Sequence, residues 1–212
     1  RRDVDAQEQS DVGAFQTSTI GTGLRFGFPV NEKDFISAGV TFEDTTVTTF
    51  ANSPPQYIQF VEDYGNTNTT LLLSSSWSRD TRNDFLFPTS GMMQRLAAEW
   101  ATPLADLQYY KLSYQLQNYF PFRDYFSLLL NGEVGYGRGL NDKPLPFFKN
   151  FYAGGVNSVR GYTAGTLGPK DTNGDAIGGD TRVVANAELF FPVPGLRDDK
   201  SLRMSVFGDT GA

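Results

Sequence analysis

Few side chains in this chain could do covalent chemistry. Its 212 residues include no cysteine and no histidine. That excludes a disulfide framework, Cys/His metal sites, a Ser–His–Asp triad and any thiolate nucleophile. Oxygen chemistry remains. Glu188 in NAELFFP and Asp209 in FGDTGA could serve as paired catalytic carboxylates, but neither a cluster of sugar-binding aromatics nor a nucleophile partner accompanies them. The run DTNGDAIGGD offers Asp171, Asn173 and Asp175 as oxygen ligands in the manner of a calcium loop. Its sixth position is Ala176 rather than glycine and its twelfth is Arg182 rather than glutamate, so the EF-hand pattern fails and a solvated external loop is the better account. Gly135, Gly137 and Gly139 are no dinucleotide fingerprint, because no helix follows; they suit a strand rim where the backbone passes close to a folded loop. The last candidate is Arg160, the one cation among the small and aromatic residues interior to FYAGGVNSVRGYTAGTLGPK (151–170), a run that ends in Lys170. Five glycines and Pro169 rule out a regular helix or strand there. Such a stretch is either a flexible external loop or an ordered loop folded back inside a barrel with Arg160 as its anchor.

The elements around this stretch alternate with period two. Ile20, Leu24, Phe26 and Phe28 share one face, while Gly21, Gly23, Arg25 and Gly27 share the other. Ile36, Ala38, Val40 and Phe42 oppose Ser37, Gly39, Thr41 and Glu43 in a strand over about 35–48. A long polar loop over 50–68 follows. Leu71, Leu73 and Trp77 mark the next strand, and in 92–100 Leu96, Ala98 and Trp100 oppose Arg95 and Glu99. A tight connection at 102–105 leads to the cleanest pattern, with Tyr110, Leu112, Tyr114 and Leu116 against Lys111, Ser113, Gln115 and Gln117. In 124–138, Phe126, Leu128, Leu130, Val134 and Tyr136 oppose Ser127, Asn131 and Glu133. Val183, Ala185, Ala187, Leu189 and Phe191 then oppose Arg182, Asn186 and Glu188. Finally Leu202, Met204 and Val206 oppose Ser201, Arg203, Ser205 and Asp209. These patterns predict about eight antiparallel strands of the length a tilted membrane strand needs, about 9–11 residues or a little more. Residues 1–16, polar and acidic, read as an external loop.

Phe-Pro occurs four times, at 28–29, 87–88, 120–121 and 191–192. Each pair is expected where a strand meets a short turn, and the longest loops, 50–68 and 139–180, fall at the opposite end. Short turns with aromatics at one rim and long loops at the other describe an outer-membrane barrel. A soluble β-sandwich would show the same alternation, so rim asymmetry and strand length distinguish the two. No window approaches the ~18 apolar residues of a membrane helix, a test that a β-barrel escapes. The net charge of −6 and the lack of a basic run speak against nucleic acid as a partner.

The run GYGRGLNDKPLPFFKNFYAGGVNSVRGYTAGTLGPK (135–170) resembles the sixth extracellular loop and its flanks in the BamA family, the outer-membrane protein assembly factors of Gram-negative bacteria. The family's VRGF/Y motif appears as Val159-Arg160-Gly161-Tyr162, framed by FYAGG and LGPK. RNDFLFPTSG and FGFPVNEKDF resemble further family strand starts and turns, so the likeness runs along essentially the whole chain.

The resemblance implies that residues 1–212 are a partial transmembrane β-barrel, about eight of sixteen strands, with a long loop folded into the lumen. Periplasmic POTRA domains and the first and last strands would lie outside it, which suits the abrupt start at Arg1 and stop at Ala212. It also implies that Arg160 reaches into the lumen and pairs with acids on the wall, at positions matching Glu188 and Asp209. Both acids fall on the polar set of their strands. By the same resemblance the activity is the folding and insertion of other β-barrel proteins, with no cofactor and no covalent intermediate. Partners would be unfolded outer-membrane proteins, outer-membrane lipid, and lipoproteins bound mainly through the POTRA domains. A TamA-like assembly factor or a two-partner-secretion transporter shares the VRG-type loop, and a passive porin-like channel is the alternative of another class.

Overall fold

The computed structural model describes residues 2–5, 15–123, 126–195 and 202–212. Among them nine strands form one antiparallel sheet in chain order: β1 (Arg2–Asp5), β2 (Phe15–Pro29), β3 (Asp34–Thr49), β4 (Thr67–Asp80), β5 (Gly91–Ala101), β6 (Tyr109–Arg123), β7 (Phe126–Gly139), β8 (Thr181–Pro192) and β9 (Arg203–Gly211). The order is a pure meander, as the alternating pattern predicts: short turns keep strand pairs adjacent at one end, and the long connections 50–66 and 140–180 also return to the neighbouring strand.

The structure corrects three expectations. Arg2–Asp5 is a strand rather than a loop, pairing with Gln16–Thr19. The backbone edge of β2 is left open by β3 on its other side, and an extended neighbour satisfies it whatever its side chains. The loop expected over 50–68 contains a helix, α1 (Pro55–Tyr64), and its last two residues already belong to β4. The link between β5 and β6 runs over 102–108 rather than 102–105. Residues 1, 6–14, 124–125 and 196–201, which include part of the expected opening loop, the expected start of β7 and Ser201, lie outside the described residues.

All four Phe-Pro pairs sit at one end of the sheet, where β2–β3, β4–β5, β6–β7 and β8–β9 are joined. Three occupy strand ends or the turn itself. Phe120-Pro121 lies within β6, where Pro121 still stands opposite Ser127 in the register and a shift follows directly between Pro121 and Arg123, close to the strand end. The other end carries 50–66, 102–108 and 140–180. On the outer face Ile20, Leu24, Phe26 and Phe28 stand exposed, Leu24 at 70%.

The inner face is covered at its long-loop end by an apolar cap. Tyr57 and Phe60 of α1 pack with Phe15, Val47, Leu72, Leu107, Tyr109 and Phe147. Phe147 lies in a single 3-10 turn (Phe147–Lys149), stacked on Tyr57 at 4.0 Å between centroids and edge-on to Phe15 at 5.0 Å. Pro55 opens α1 at a position where its missing N–H costs nothing. Tyr57, Phe60, Val61 and Tyr64 follow at helical spacing, which puts one aromatic stripe onto the cap.

Candidate functional site

The 140–180 connection leaves β7 at the long-loop rim, descends along the inner face and returns to β8. Its legs are held together by short bridges, Phe151 with Gly179, Ala153 with Leu167 and Lys170 with Ala176. Beyond Ala153 the chain folds into a compact tip. Gly155 N–H donates to Tyr162 O at 3.1 Å, Ser158 N–H to Gly155 O at 3.0 Å, and Gly154 N–H to Ser158 Oγ at 3.2 Å. Gly161 has φ +92°, a left-handed conformation that reverses the chain directly after Arg160.

Arg160 meets two carboxylates supplied by adjacent strands. In the β8–β9 register Asn186 faces Asp209 and Glu188 faces Phe207, so all four point to the inner face and the two acids are diagonal neighbours. The Arg160 guanidinium donates to Asp209 through Nε (2.7 Å to Oδ2) and Nη2 (2.7 Å to Oδ1), a bidentate fork. Nη1 donates to Glu188 Oε2 at 2.9 Å, and the backbone N–H of Arg160 adds a bond to Asp209 Oδ2, also at 2.9 Å. The cation lies 3.5 Å from the Phe207 ring centroid. Asp209 is almost fully withdrawn from solvent, its side chain 2% exposed. The Asp209 bonds, ahead of those to Glu188, hold the Arg160 guanidinium above its already high ordinary pKa. Planar donors matched to carboxylate oxygens make such a fork directional as well as strong.

The remaining motif residues surround this pair. Val159 is buried against Gly211 of β9, where a Cβ would come within 2.9 Å of Val159 Cγ2. Tyr162 keeps a half-exposed side chain and contributes its carbonyl to the tip. A ladder of amides runs across the wall toward the same place: Gln115 Nε2 donates to Asn131 Oδ1, Asn131 Nδ2 to Asn186 Oδ1, and Asn186 Nδ2 to Ser158 O. Geometry thus brings Val159, Arg160, Glu188 and Asp209 together, uses Gly161 as the turn, and leaves the Tyr162 side chain outside the contact.

Glu188 and Asp209 both face Arg160, so as a pair they are engaged by a cation. The Asp171 carboxylate closes its own turn, with Oδ1 accepting from the N–H of Asn173 (2.9 Å) and of Asp175 (2.8 Å). The reading from residue types missed the contribution of α1. Tyr57 donates its hydroxyl to Ile177 O at 3.1 Å and lies 3.4 Å from the Tyr152 hydroxyl, tying the helix to both legs of the loop. Burial, then the Tyr152 contact, pushes the Tyr57 phenol well above the usual tyrosine range. The i, i+3, i+4, i+7 spacing behind Pro54-Pro55 carried that signal.

The whole chain, residues 1–212, matches the model of the Omp85 superfamily domain. The chain belongs to the Omp85 superfamily. It is 38% identical over 216 residues to the outer membrane protein assembly factor BamA of Neisseria meningitidis serogroup B, a match covering 96% of this chain and 27% of that protein. A SAM50-like protein of Schizosaccharomyces pombe is 30% identical over 145 residues, covering 66% of this chain and 30% of the relative. In structure the chain resembles BamA from Haemophilus ducreyi lacking POTRA domains 1–3, with a TM-score of 0.90, 24% identity, and coverage of 99% of this chain and 44% of that one. That likeness carries the fold: the Omp85 sheet described above is part of an antiparallel transmembrane β-barrel, its exposed apolar face turned to lipid and its inner face to the lumen. The chain spans about a quarter of the length of the Neisseria relative.

Proposed function

We propose that the complete protein carrying this region resides in the bacterial outer membrane and catalyses the folding and insertion of other β-barrel proteins there. The observation that carries this reading is the 38% identity to an outer membrane protein assembly factor, which extends over 96% of the chain. Likeness to SAM50-type sorting and assembly proteins points the same way. The work is mechanical. It proceeds without nucleotide, cofactor or covalent intermediate, and its substrates are unfolded outer-membrane proteins. POTRA domains outside residues 1–212 supply the contacts to lipoprotein partners.

In this reading Val159, Arg160, Gly161, Tyr162, Glu188 and Asp209 form the anchor that keeps the loop in the lumen. They act on the loop and do not touch substrate. Removing one member of a hydrogen-bonded charge pair in a partly dehydrated site costs about 3–5 kcal/mol, because the partner is left unpaired. The loop tip therefore has one dominant point of failure.

The test uses the complete protein in liposomes. A urea-unfolded outer-membrane barrel is added, and its folding rate is followed with wild type and with Arg160→Glu. Acceleration by wild type that falls by about tenfold or more in the variant, the equivalent of ~1.4 kcal/mol in the barrier, supports the reading. Absence of acceleration by wild type, together with ion conduction or passage of an extended polypeptide, overturns it in favour of a channel or an exporter of the same superfamily.

A further inference from the structure

The neck of the loop is seated by contacts in which Arg160 takes no part. Gly135, Gly137 and Gly139 recur at period two on the lumenal face of β7, and loop residues fill the space their absent side chains leave. A Cβ on Gly135 would lie 2.7 Å from Cε1 and 2.9 Å from Cζ of Phe151. One on Gly137 would lie 3.0 Å from Leu145 Cδ2 and 3.1 Å from Lys111 Cγ, and one on Gly139 would run into the backbone of Lys143 and Pro144. Any larger residue at 135 would exclude the Phe151 ring from the wall.

Charged side chains close the seat on either side. Lys111 of β6, paired in register with Gly137, places its ammonium 4.1 Å from the Phe151 ring centroid and donates to Lys149 O at 2.6 Å. A cation over an aromatic face in a partly desolvated site is worth more than the same contact in water. On the opposite flank Arg182 of β8, paired with Gly135, donates to Tyr152 O at 3.2 Å and is held by Glu133. Phe151 also carries the return leg, exchanging two backbone bonds with Gly179 at 2.8 and 3.0 Å.

We propose that Gly135, Gly137 and Lys111 form a socket for Phe151 that positions the neck of the loop independently of the Arg160 anchor. The two sets of contacts share no side chain. Release of the tip accordingly leaves the neck in place, and the segment from Ala153 to Leu167 swings about a fixed base. Lys111 is a positioning residue: it acts on the loop backbone and on Phe151. The proposal does not depend on the assembly activity.

Amide hydrogen exchange on the complete protein in phospholipid nanodiscs separates the two holds. Arg160→Ala is expected to speed exchange at the tip amides of Gly155, Ser158 and Arg160 by about tenfold or more, while Phe151 and Gly179 stay within about twofold of wild type. Gly135→Leu and Lys111→Met are expected to do the reverse, and Lys111→Arg, which keeps the cation and a donor, to stay close to wild type at the neck. Equal opening of neck and tip by Arg160→Ala overturns the proposal, because the loop then has a single hold. Unchanged neck exchange in Lys111→Met also overturns it. If Gly135→Leu is not recovered folded, the Lys111→Met and Lys111→Arg pair decides alone. Failure of the tip arm would count against the Arg160 anchor and leave the socket standing.

Discussion

The tip and the cap of the long loop are held by opposite physics. At the tip, one guanidinium is divided between two carboxylates, with Phe207 beneath it. At the cap, nine buried residues from α1, five strands, the β5–β6 link and the loop share the load, with Phe147 touching Phe15, Tyr57, Phe60 and Phe148. A forked ion pair is directional, so it specifies where Arg160 must sit. Apolar packing is additive and non-directional, so it tolerates small changes and loses stability in proportion to the area removed. The tip is therefore specific and brittle, and the cap is diffuse and forgiving.

The sharpest way to break that contrast is Asp209→Leu, which leaves Arg160 without its bidentate partner. A loss of about 3–5 kcal/mol in tip closure is expected. It should be read as faster proteolysis at the exposed Val156 turn of the folded protein. Adding Arg160→Met and Glu188→Gln should recover part of the loss, because the triple variant holds neither a half-paired cation nor a carboxylate without its cation. A triple variant as labile as the single one would mean the fork contributes net attraction instead of avoiding a penalty.

Phe147→Ala comes next, at about 3 kcal/mol, the usual cost of removing a buried phenyl ring. It should lower the temperature at which the folded form is lost in heat-modifiability gels, with no partner substitution able to rescue it. Selective loss of tip protection with an intact melting point would put the cap in the wrong place. Tyr57→Phe removes one buried hydroxyl donor to Ile177 O and should cost about 1 kcal/mol. Hydrogen exchange at Ile177 and Gly179 would show it, and no change would mean that water replaces the phenol.

The smallest effect concerns Asp106, whose carboxylate accepts from the Thr69 hydroxyl at 2.6 Å and the Thr69 N–H at 2.9 Å. The hydroxyl bond, then the backbone bond, lowers its pKa below the ordinary carboxylate value. A depressed pKa contributes stability above the unfolded value, about 3.9, which is lost as pH falls through the folded one. Asp106 is exposed, so solvent leaves under about 0.5 kcal/mol. Melting points of wild type and Asp106→Asn should differ slightly at about pH 6, and the difference should shrink as pH falls below about 3.9. A gap that stays constant as pH falls through that range would mean the carboxylate charge is not its source.

Much of this was legible in residue order. Ile20 to Phe28 against Gly21 to Gly27 specified which face of β2 meets lipid, since alternate side chains of a strand can only point to opposite sides. The four Phe-Pro pairs marked one rim. Glu188 and Asp209 each fell on the inner set of their strands, because period two places a residue on a face without knowledge of its partner. The helix was the main omission: Pro54-Pro55 reads as a loop signal until the aromatic stripe behind it is counted at helical spacing.

Alternation along the chain thus sufficed for β2 to β9, their order, the two faces of the wall and the residues available on each, while β1, read as loop, escaped it because its four residues show no such pattern. What those faces receive was settled by the folded path of the chain. That Arg160 forks onto Asp209, 49 residues away, that Tyr57 reaches Ile177, and that Phe151 fills the space over Gly135 all depend on the path of a glycine-rich loop. Backbone freedom at those glycines leaves many paths open, and only the closed set of contacts with the wall selects one.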